Sequence, residues 1–493
     1  MTAKPRTDRS RWLALYVLCV GMLMIVLDTT IVNVALPSIQ SDLHFTGSGL
    51  AWVVNAYLIA FGGLLLLAGR LGDLFGRRRV FVSGLVVFTA ASFLCGIAQN
   101  QEMLVTARFV QGVGGAMTSA VILGMIVTMF PEPPEQAKAI GVYAFVASAG
   151  GAVGLLAGGV LTQSISWHWI FFVNLPIGIA TVIVAGRLLP ADQRPENRSG
   201  ADVPGAVLIT SALMLAVYTI VKPAAEHGWT APATLGLGAV SLLLLAAFLV
   251  RQATAAEPLM PLRVFRARAL LAANAIQMLS VAGMFGMFFL GALYLQRVRG
   301  YDALQIGLAF LPVTVLMGGL SVRYSARLTA RFGTRTVLVT GLAVIAAGLA
   351  IFAQAPTDGA YAPYVLPPMV LLGIGAGLAF PALMTVAMSD TAPQDAGLAS
   401  GLLNATAQVG GALGLAVLAT VSASRSTRLA ATGAPAAAAL TGGYHLAFWI
   451  GAILTGAAIL VALTALRGRQ APAGQPDRID TAALDNVEMA AAK

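Results

Sequence analysis

The chain has 493 residues, of which 58% are hydrophobic and only 10% charged. A soluble domain carries about 25% charged residues, so this composition excludes a water-soluble globule and makes lipid the solvent for most of the chain. The net charge of +10 does not point to nucleic acid, because the basic residues fall in short loops between apolar runs, the pattern that orients membrane helices.

A helix needs about 20 mainly apolar residues to cross a hydrocarbon core of roughly 30 Å. In chain order the predicted spans are 12–36, 50–69, 80–98, 103–130, 139–162, 168–189, 203–221, 232–250, 270–296, 304–324, 336–354, 363–388, 398–420 and 444–466. The opening MTAKPRTDRSR resembles the basic flank of a signal peptide. The apolar stretch after it is too long for an h-region, and no small-residue cleavage site closes it, so it reads as an uncleaved first span. Fourteen spans put both termini on one side. With that side cytoplasmic, Lys222, Arg297, Arg299, Arg425 and Arg428 fall in outer loops and Arg108 inside a span, which leaves 24 of the 30 basic residues on inner segments. That bias places both ends of the chain in the cytoplasm of a cell whose membrane it crosses.

The sequence repeats itself. GRLGDLFGRRRVF (69–81) and ARLTARFGTRTVL (326–338) agree at six of thirteen positions, and AGGAVGLL (149–156) echoes VGGALGLA (409–416) at nearly the same offset. Spans 1–6 and 9–14 therefore read as two copies of one unit, with spans 7 and 8 inserted between them. The expected organisation is a cytoplasmic N-terminus (1–11), a six-helix bundle (12–189), two inserted helices (203–250), a second six-helix bundle (270–466) and a polar cytoplasmic tail (467–493). Duplicated all-α bundles with a site at their interface are the usual architecture of secondary transporters.

No engine is visible. Lysine occurs only at 4, 138, 222 and 493, never after a glycine, so no Walker A loop is present. His44, His168, His227 and His445 are scattered, with no metal-ligand spacing, and no GxSxG elbow occurs. Cys19 and Cys95 both lie in apolar runs, so no disulfide framework is implied. The expectations are no enzyme activity, no cofactor or metal, no ATPase subunit and action as a monomer, driven by an ion gradient or running passively.

Two charges lie well inside predicted spans: Asp28, in LDTTIVNVALP (27–37), and Arg108, in RFVQGVGGA (108–116). Each costs at least about 2.5–3.5 kcal/mol to bury. Asp28 lies about 24 Å along an outward-running helix and Arg108 about 8 Å down an inward-running one, so both fall in the outer half of the membrane and can pair. Burial disfavours a charged carboxylate and a nearby arginine favours it. A carboxylate balanced between the two can exchange protons as its surroundings change; the alternative is a static ion pair that only joins helices.

These residues resemble the fourteen-span drug:proton antiporter branch of the major facilitator superfamily, over all of the chain but the tail. LDTTIVNVALP is similar to the first-span motif of that branch, which implies that Asp28 is a protonation site. RFVQGVGGA resembles the fourth-span motif, which implies a coupling role for Arg108, and WHWIFFVNLPIG (167–178) is close to the sixth-span signature. GRLGDLFGRRR resembles the loop motif between spans 2 and 3. The resemblance implies that Gly69, Gly72, Asp73, Gly76, Arg77 and Arg78 form a cytoplasmic latch between the halves; the same arginines also serve simply to orient the chain. In the second copy Ala330 replaces the acid, so no second latch is expected.

Gly150, Gly154 and Gly158 lie four apart on span 5, followed by Gly159. They are similar to the antiporter motif of exporting branches, and plain close packing of helices explains the same pattern. Leu155 stands where that motif has proline, which weakens the expected bend. Trp167 and Trp169 read as an aromatic belt. Asn33, Asn55, Gln111, Asn404 and Gln408 are the candidate polar residues of an otherwise apolar cavity, suited to small amphipathic substrates. With no second membrane acid, neutral or singly charged drugs and antibiotics are expected rather than dications. The alternative function is a facilitator or proton-coupled transporter of a small metabolite.

Overall fold

The structure is a computed structural model that describes residues 8–189, 200–261, 263, 267–389 and 396–466. The N-terminal tip, the linker 190–199 and the tail 467–493 lie outside the described residues. The first half contains α1 (Asp8–Leu43), α2 (Ala51–Phe75), α3 (Arg77–Gly96), α4 (Gln101–Met129), α5 (Pro133–Ser164), α6 (Trp169–Phe172) and α7 (Asn174–Leu188). The inserted segment comprises α8 (Val203–Val221), α9 (Pro223–His227) and α10 (Pro232–Thr254). The second half contains α11 (Arg268–Arg297), α12 (Ala303–Arg323), α13 (Ser325–Phe332), α14 (Thr334–Phe352), α15 (Tyr361–Tyr364), α16 (Leu366–Met388), α17 (Ala396–Ala431) and α18 (Ala436–Ala465).

Thirteen stretches among the described residues are long and apolar enough to cross a membrane. Helix α5, 32 residues long and packed between α1 and α12, takes the place of the fourteenth. The fold is thus two six-helix bundles with two inserted helices. Helix ends overrun the apolar limits read from the sequence. The first helix has 36 residues, about 54 Å at 1.5 Å per residue, because backbone hydrogen bonding continues past the lipid boundary. Arg425 and Arg428, expected in an outer loop, lie on the last turns of α17.

Two spans are broken. The sixth divides at Val173 into α6 and α7, and Pro176, lacking an N–H, cannot bond back to Phe172. The twelfth divides at Val365, ahead of Pro367 and Pro368.

The sequence repeat reappears as repeated packing. Helix α5 packs along α1, and its counterpart α17 packs along α11. Gly76 and Gly333, at matching points of the two copies, both hold positive φ (104° and 82°) where one helix turns into the next. L-residues rarely adopt that conformation, which explains a glycine at each.

The halves meet along two seams, α5 with α12 and α2 with α17. Helix α8 lies over the second seam, touching α2 and α17 both. The seams close on the side away from the arginine-rich loops. A Cβ on Gly159 would lie 2.8 Å from Leu304 Cα, and one on Gly62 would lie 2.8 Å from Gln408 Cβ. Toward the arginine-rich side the α2–α17 contact persists to Gly401, where a Cβ would lie 3.2 Å from Leu66, and beyond it Gly69 on α2 and Gly397 on α17, like Gly141 on α5, have nothing within 4 Å among the described residues. The molecule is therefore a wedge, open toward the side that carries most of the positive charge.

Candidate functional site

Asp28 and Arg108 meet. Their side chains are 0% and 1% exposed, with Arg108 Nη1 donating to Asp28 Oδ2 at 2.6 Å. The same nitrogen reaches Gln111 Oε1 at 2.6 Å, and Nε donates to the Val53 carbonyl at 2.9 Å. Gln111 Nε2 donates to Asp28 Oδ1 at 2.7 Å and to Ser92 Oγ at 2.8 Å. Asn174 Nδ2 adds longer contacts to Asp28 Oδ1 (3.2 Å) and Ser92 Oγ (3.4 Å). Cys95 Sγ lies 3.7 Å from Gln111 Oε1. The guanidinium sits over the Tyr57 ring at 4.5 Å and near that of Phe171 at 5.8 Å.

Local geometry explains why these groups converge. Arg108 and Gln111 are one turn apart on α4, as are Ser92 and Cys95 on α3, so each pair shares a face. Gly112 draws α4 onto α2: a Cβ there would lie 2.5 Å from the Tyr57 carbonyl. Asn174 reaches the cluster because it opens α7 just after the break. A buried ion pair offsets its desolvation cost only when its remaining polar atoms are also satisfied; here Asp28 receives three N–H donors. The site can hold a carboxylate in a lipid-depth environment, and at Oδ1, which takes two of those donors, an added proton must displace one.

Asp28 faces into its own bundle. The stripe of α1 that meets α5 includes Leu27, Thr30 and Ile31. The part-exposed Thr29 and Asn33 lie roughly 100° or more around the helix from Asp28 at 100° per residue. The carboxylate is sealed from the wedge in this conformation.

The other sequence candidates divide. Gln111 belongs to the ion-pair network rather than to a cavity wall. Asn33 is part-exposed, and its amide bonds back to the Thr29 carbonyl at 3.0 Å. Asn404 is exposed on α17 between the stripe that meets α2 and the one that meets α11. Gln408 lies against Gly62, and its Oε1 has no partner among the described residues; Asn55 is fully buried with neither amide atom partnered.

In the loop motif, Asp73 pairs with Arg77 at 3.1 Å, and Arg77 also donates to the Gly124 carbonyl at 2.8 Å and to Thr128 at 3.1 Å. Arg78 donates to the Gly186 carbonyl. These partners all lie in the first half, as a wedge parted on this side requires. A Cβ on Gly72 would lie 2.5 Å from Val121, whereas Gly69 faces open space. On α5, Gly150, Gly154 and Gly158 face α1, and Gly159 faces α12 across the seam. The helix is continuous through Leu155, as expected without a proline.

Sequence reasoning missed Ser92, Asn174 and Tyr57. Small polar residues and a tyrosine are common in membrane helices, and only the packing of α2, α3 and α7 brings these to Asp28. It also misread Trp167, which is buried, stacked on His168 and bonded through Nε1 to Asp42 at 2.9 Å. A tryptophan with a fixed carboxylate partner is held by the protein, whereas Trp169 is exposed as a belt residue would be. Burial holds the His168 imidazole below the usual histidine range, although Asp42 pulls the other way.

Residues 18–415 match the family described as Major Facilitator Superfamily. The chain is 39% identical to the puromycin resistance protein pur8 of Streptomyces alboniger over 455 residues, covering 91% of this chain and 90% of that one. It is 41% identical to the cephamycin export protein CmcT of Amycolatopsis lactamdurans over 413 residues, 83% and 85% of the two chains. Among solved structures, a bacterial homologue of the human lysosomal transporter Spinster, in an inward-facing and unoccupied conformation, superposes with a TM-score of 0.66. It is 15% identical and covers 95% of this chain and 100% of that one, a likeness of fold alone.

Proposed function

The chain belongs to the major facilitator superfamily, and from that premise we propose that it exports amphipathic antibiotics or similar toxic compounds across the cell membrane in exchange for protons. It is a transporter and not an enzyme. Relatives named for puromycin resistance, cephamycin export, and tetracenomycin C resistance and export support efflux over metabolite uptake. The observation that carries proton coupling is Asp28, a carboxylate fully buried within the span α1 and held against Arg108 at 2.6 Å in a wholly buried network.

In this scheme both termini and the open mouth of the wedge face the cytoplasm. Drug enters the apolar wedge, whose polar points include Asn33 and Asn404. The halves then rock about the two seams, and the outer side opens. A proton from outside reaches Asp28 and weakens its hold on Arg108; return to the inward-open state releases the proton inside. One charge crossing 100 mV supplies about 2.3 kcal/mol, enough for a gradient of a few tens-fold per proton. The chain acts as a monomer, with the proton as its coupling ion and lipid around it.

The test is Asp28→Asn, with drug flux and proton flux measured in inverted vesicles under an imposed pH gradient. The expected outcome is loss of uphill efflux at matched amounts of inserted protein, the matching being needed because Arg108 is left without its counter-charge. Undiminished proton-coupled export by that variant would falsify the assignment.

A further inference from the structure

Once protonated, Asp28 carries a new O–H donor, and a buried donor without an acceptor is costly. Its three present partners are not equally able to supply one. Arg108 has no acceptor at all. Gln111 is committed at both ends: its Oε1 accepts from Arg108 and faces Cys95, and its Nε2 donates to Asp28 and Ser92. Turning that amide would press its NH2 against the guanidinium.

Asn174 differs on each count. Its Nδ2 contacts are the longest of the N–H···O contacts in the cluster, 3.2 and 3.4 Å, beyond the usual length of about 2.9–3.0 Å. Its Oδ1 is buried and has no partner among the described residues. A half-turn of the amide places that oxygen against Asp28, while the Ser92 hydroxyl, which donates to the Phe88 carbonyl at 2.9 Å, goes on accepting from Gln111. Asn174 also heads α7 immediately after the break at Val173.

We propose that Asn174 reads the protonation state of Asp28, donating weakly to the carboxylate and turning to accept from the carboxylic acid. The inference rests on the reading of Asp28 as proton carrier. The titratable groups facing Asp28 are Arg108 on α4, Tyr57 on α2 and Cys95 on α3. From α6 and α7 come only Phe171 and Asn174 at this level, and α5 meets α1 here through Gly154 and Gly158. Helices α11 and α12 also touch α1. Their titratable side chains, Arg268, Tyr294 and Arg297 on α11 and Arg323 on α12, lie toward the helix ends. Asn174 is a positioning residue: it acts on transport through the carboxyl group it holds.

The test is an infrared pH titration of the full-length protein in lipid nanodiscs, following the protonated-carboxyl stretching band that disappears in Asp28→Asn. In Asn174→Leu the acid loses its acceptor while the carboxylate keeps its two shorter donors. The band should move to higher frequency, and its midpoint should fall by on the order of one pH unit. Asn174→Ser, which keeps a reversible donor and acceptor, should restore both part of the way. Should Asn174→Leu fail to accumulate, Asn174→Val makes the same comparison. A midpoint that rises, or a band that does not move, overturns the proposal and leaves Asn174 as a plain donor or packing residue. If no titrating band is lost in Asp28→Asn, the proton-carrier reading falls first, and this inference with it.

Discussion

Asp28 and Arg108 are mutually dependent, and the consequences of separating them can be stated. Arg108→Ala removes the contacts to Asp28, Gln111 and the Val53 carbonyl together and strands a carboxylate at lipid depth. Breaking a buried pair from one side costs on the order of 3–5 kcal/mol, so this variant should accumulate poorly and elute as aggregate from detergent. Asp28→Asn combined with Arg108→Gln removes both charges, and should regain a monodisperse peak while remaining inactive in efflux. A double variant no better behaved than Arg108→Ala would show that the charges are not what couples the sites. The pair was legible in the sequence because a lone charge within a long apolar run has few explanations. Its companions were not: Ser92 and Asn174 are unremarkable as residue types, and their meaning comes from three helices meeting at one depth. Trp167 shows the opposite failure, since a residue that suits the membrane boundary was claimed instead by Asp42.

At the scale of the element, α5 serves two partners with two stripes. Gly150, Gly154 and Gly158 lie against α1 inside the first half, while Gly151, Leu155 and Gly159 lie along α12 across the seam. A stripe that joins helices within a bundle need not move in the cycle; a stripe between bundles must. Gly159→Leu would drive a side chain into the Leu304 backbone, prying open the side now closed. Gly236→Leu, on α10 away from both seams and with nothing within 4 Å among the described residues, meets open space. Transport should fall at least tenfold in the first and change little in the second, measured as drug efflux at equal protein level. Equal activity in the two would mean that close approach at Gly159 is dispensable. The sequence exposed the glycine spacing but could not say which partner each stripe meets, because that depends on how the halves are joined. Helix existence followed from apolar length alone. The breaks at Val173 and Val365 did not, although the prolines just beyond them were the available signal.

Across the whole molecule, the inserted pair is fixed at one end by polar chemistry. Asp202 caps α8 through the Gly205 N–H at 3.1 Å and accepts from Arg251 at 2.9 Å and Gln252 at 2.8 Å. Burial by itself would raise the Asp202 carboxyl, but these donors outweigh it and hold it below the usual aspartate range. A lowered value means stability that is present above the unfolded value of about 3.9 and lost as pH falls through the folded one. The hairpin should therefore loosen only in acid below about pH 4. Asp202→Ala should cost about 1 kcal/mol at neutral pH through the lost cap, read as a lower midpoint of thermal unfolding. An unchanged midpoint would place the anchor elsewhere, for which Arg70, paired with Glu257 at 2.9 Å and donating to the Gly200 carbonyl, is the next residue to remove.

That hairpin also breaks the symmetry of the transporter's flanks. Helix α8 shutters the join of α2 with α17 and carries α10 on its outer side, whereas along α5 and α12 side chains such as Phe145, Val153 and Val315 stand bare to the surrounding acyl chains. A greasy molecule dissolved in the bilayer thus meets a second layer of helices over one seam and the uncovered seam itself on the other flank. Two copies of one ancestral unit, which alone would present two equivalent seams to lipid, have been left with one.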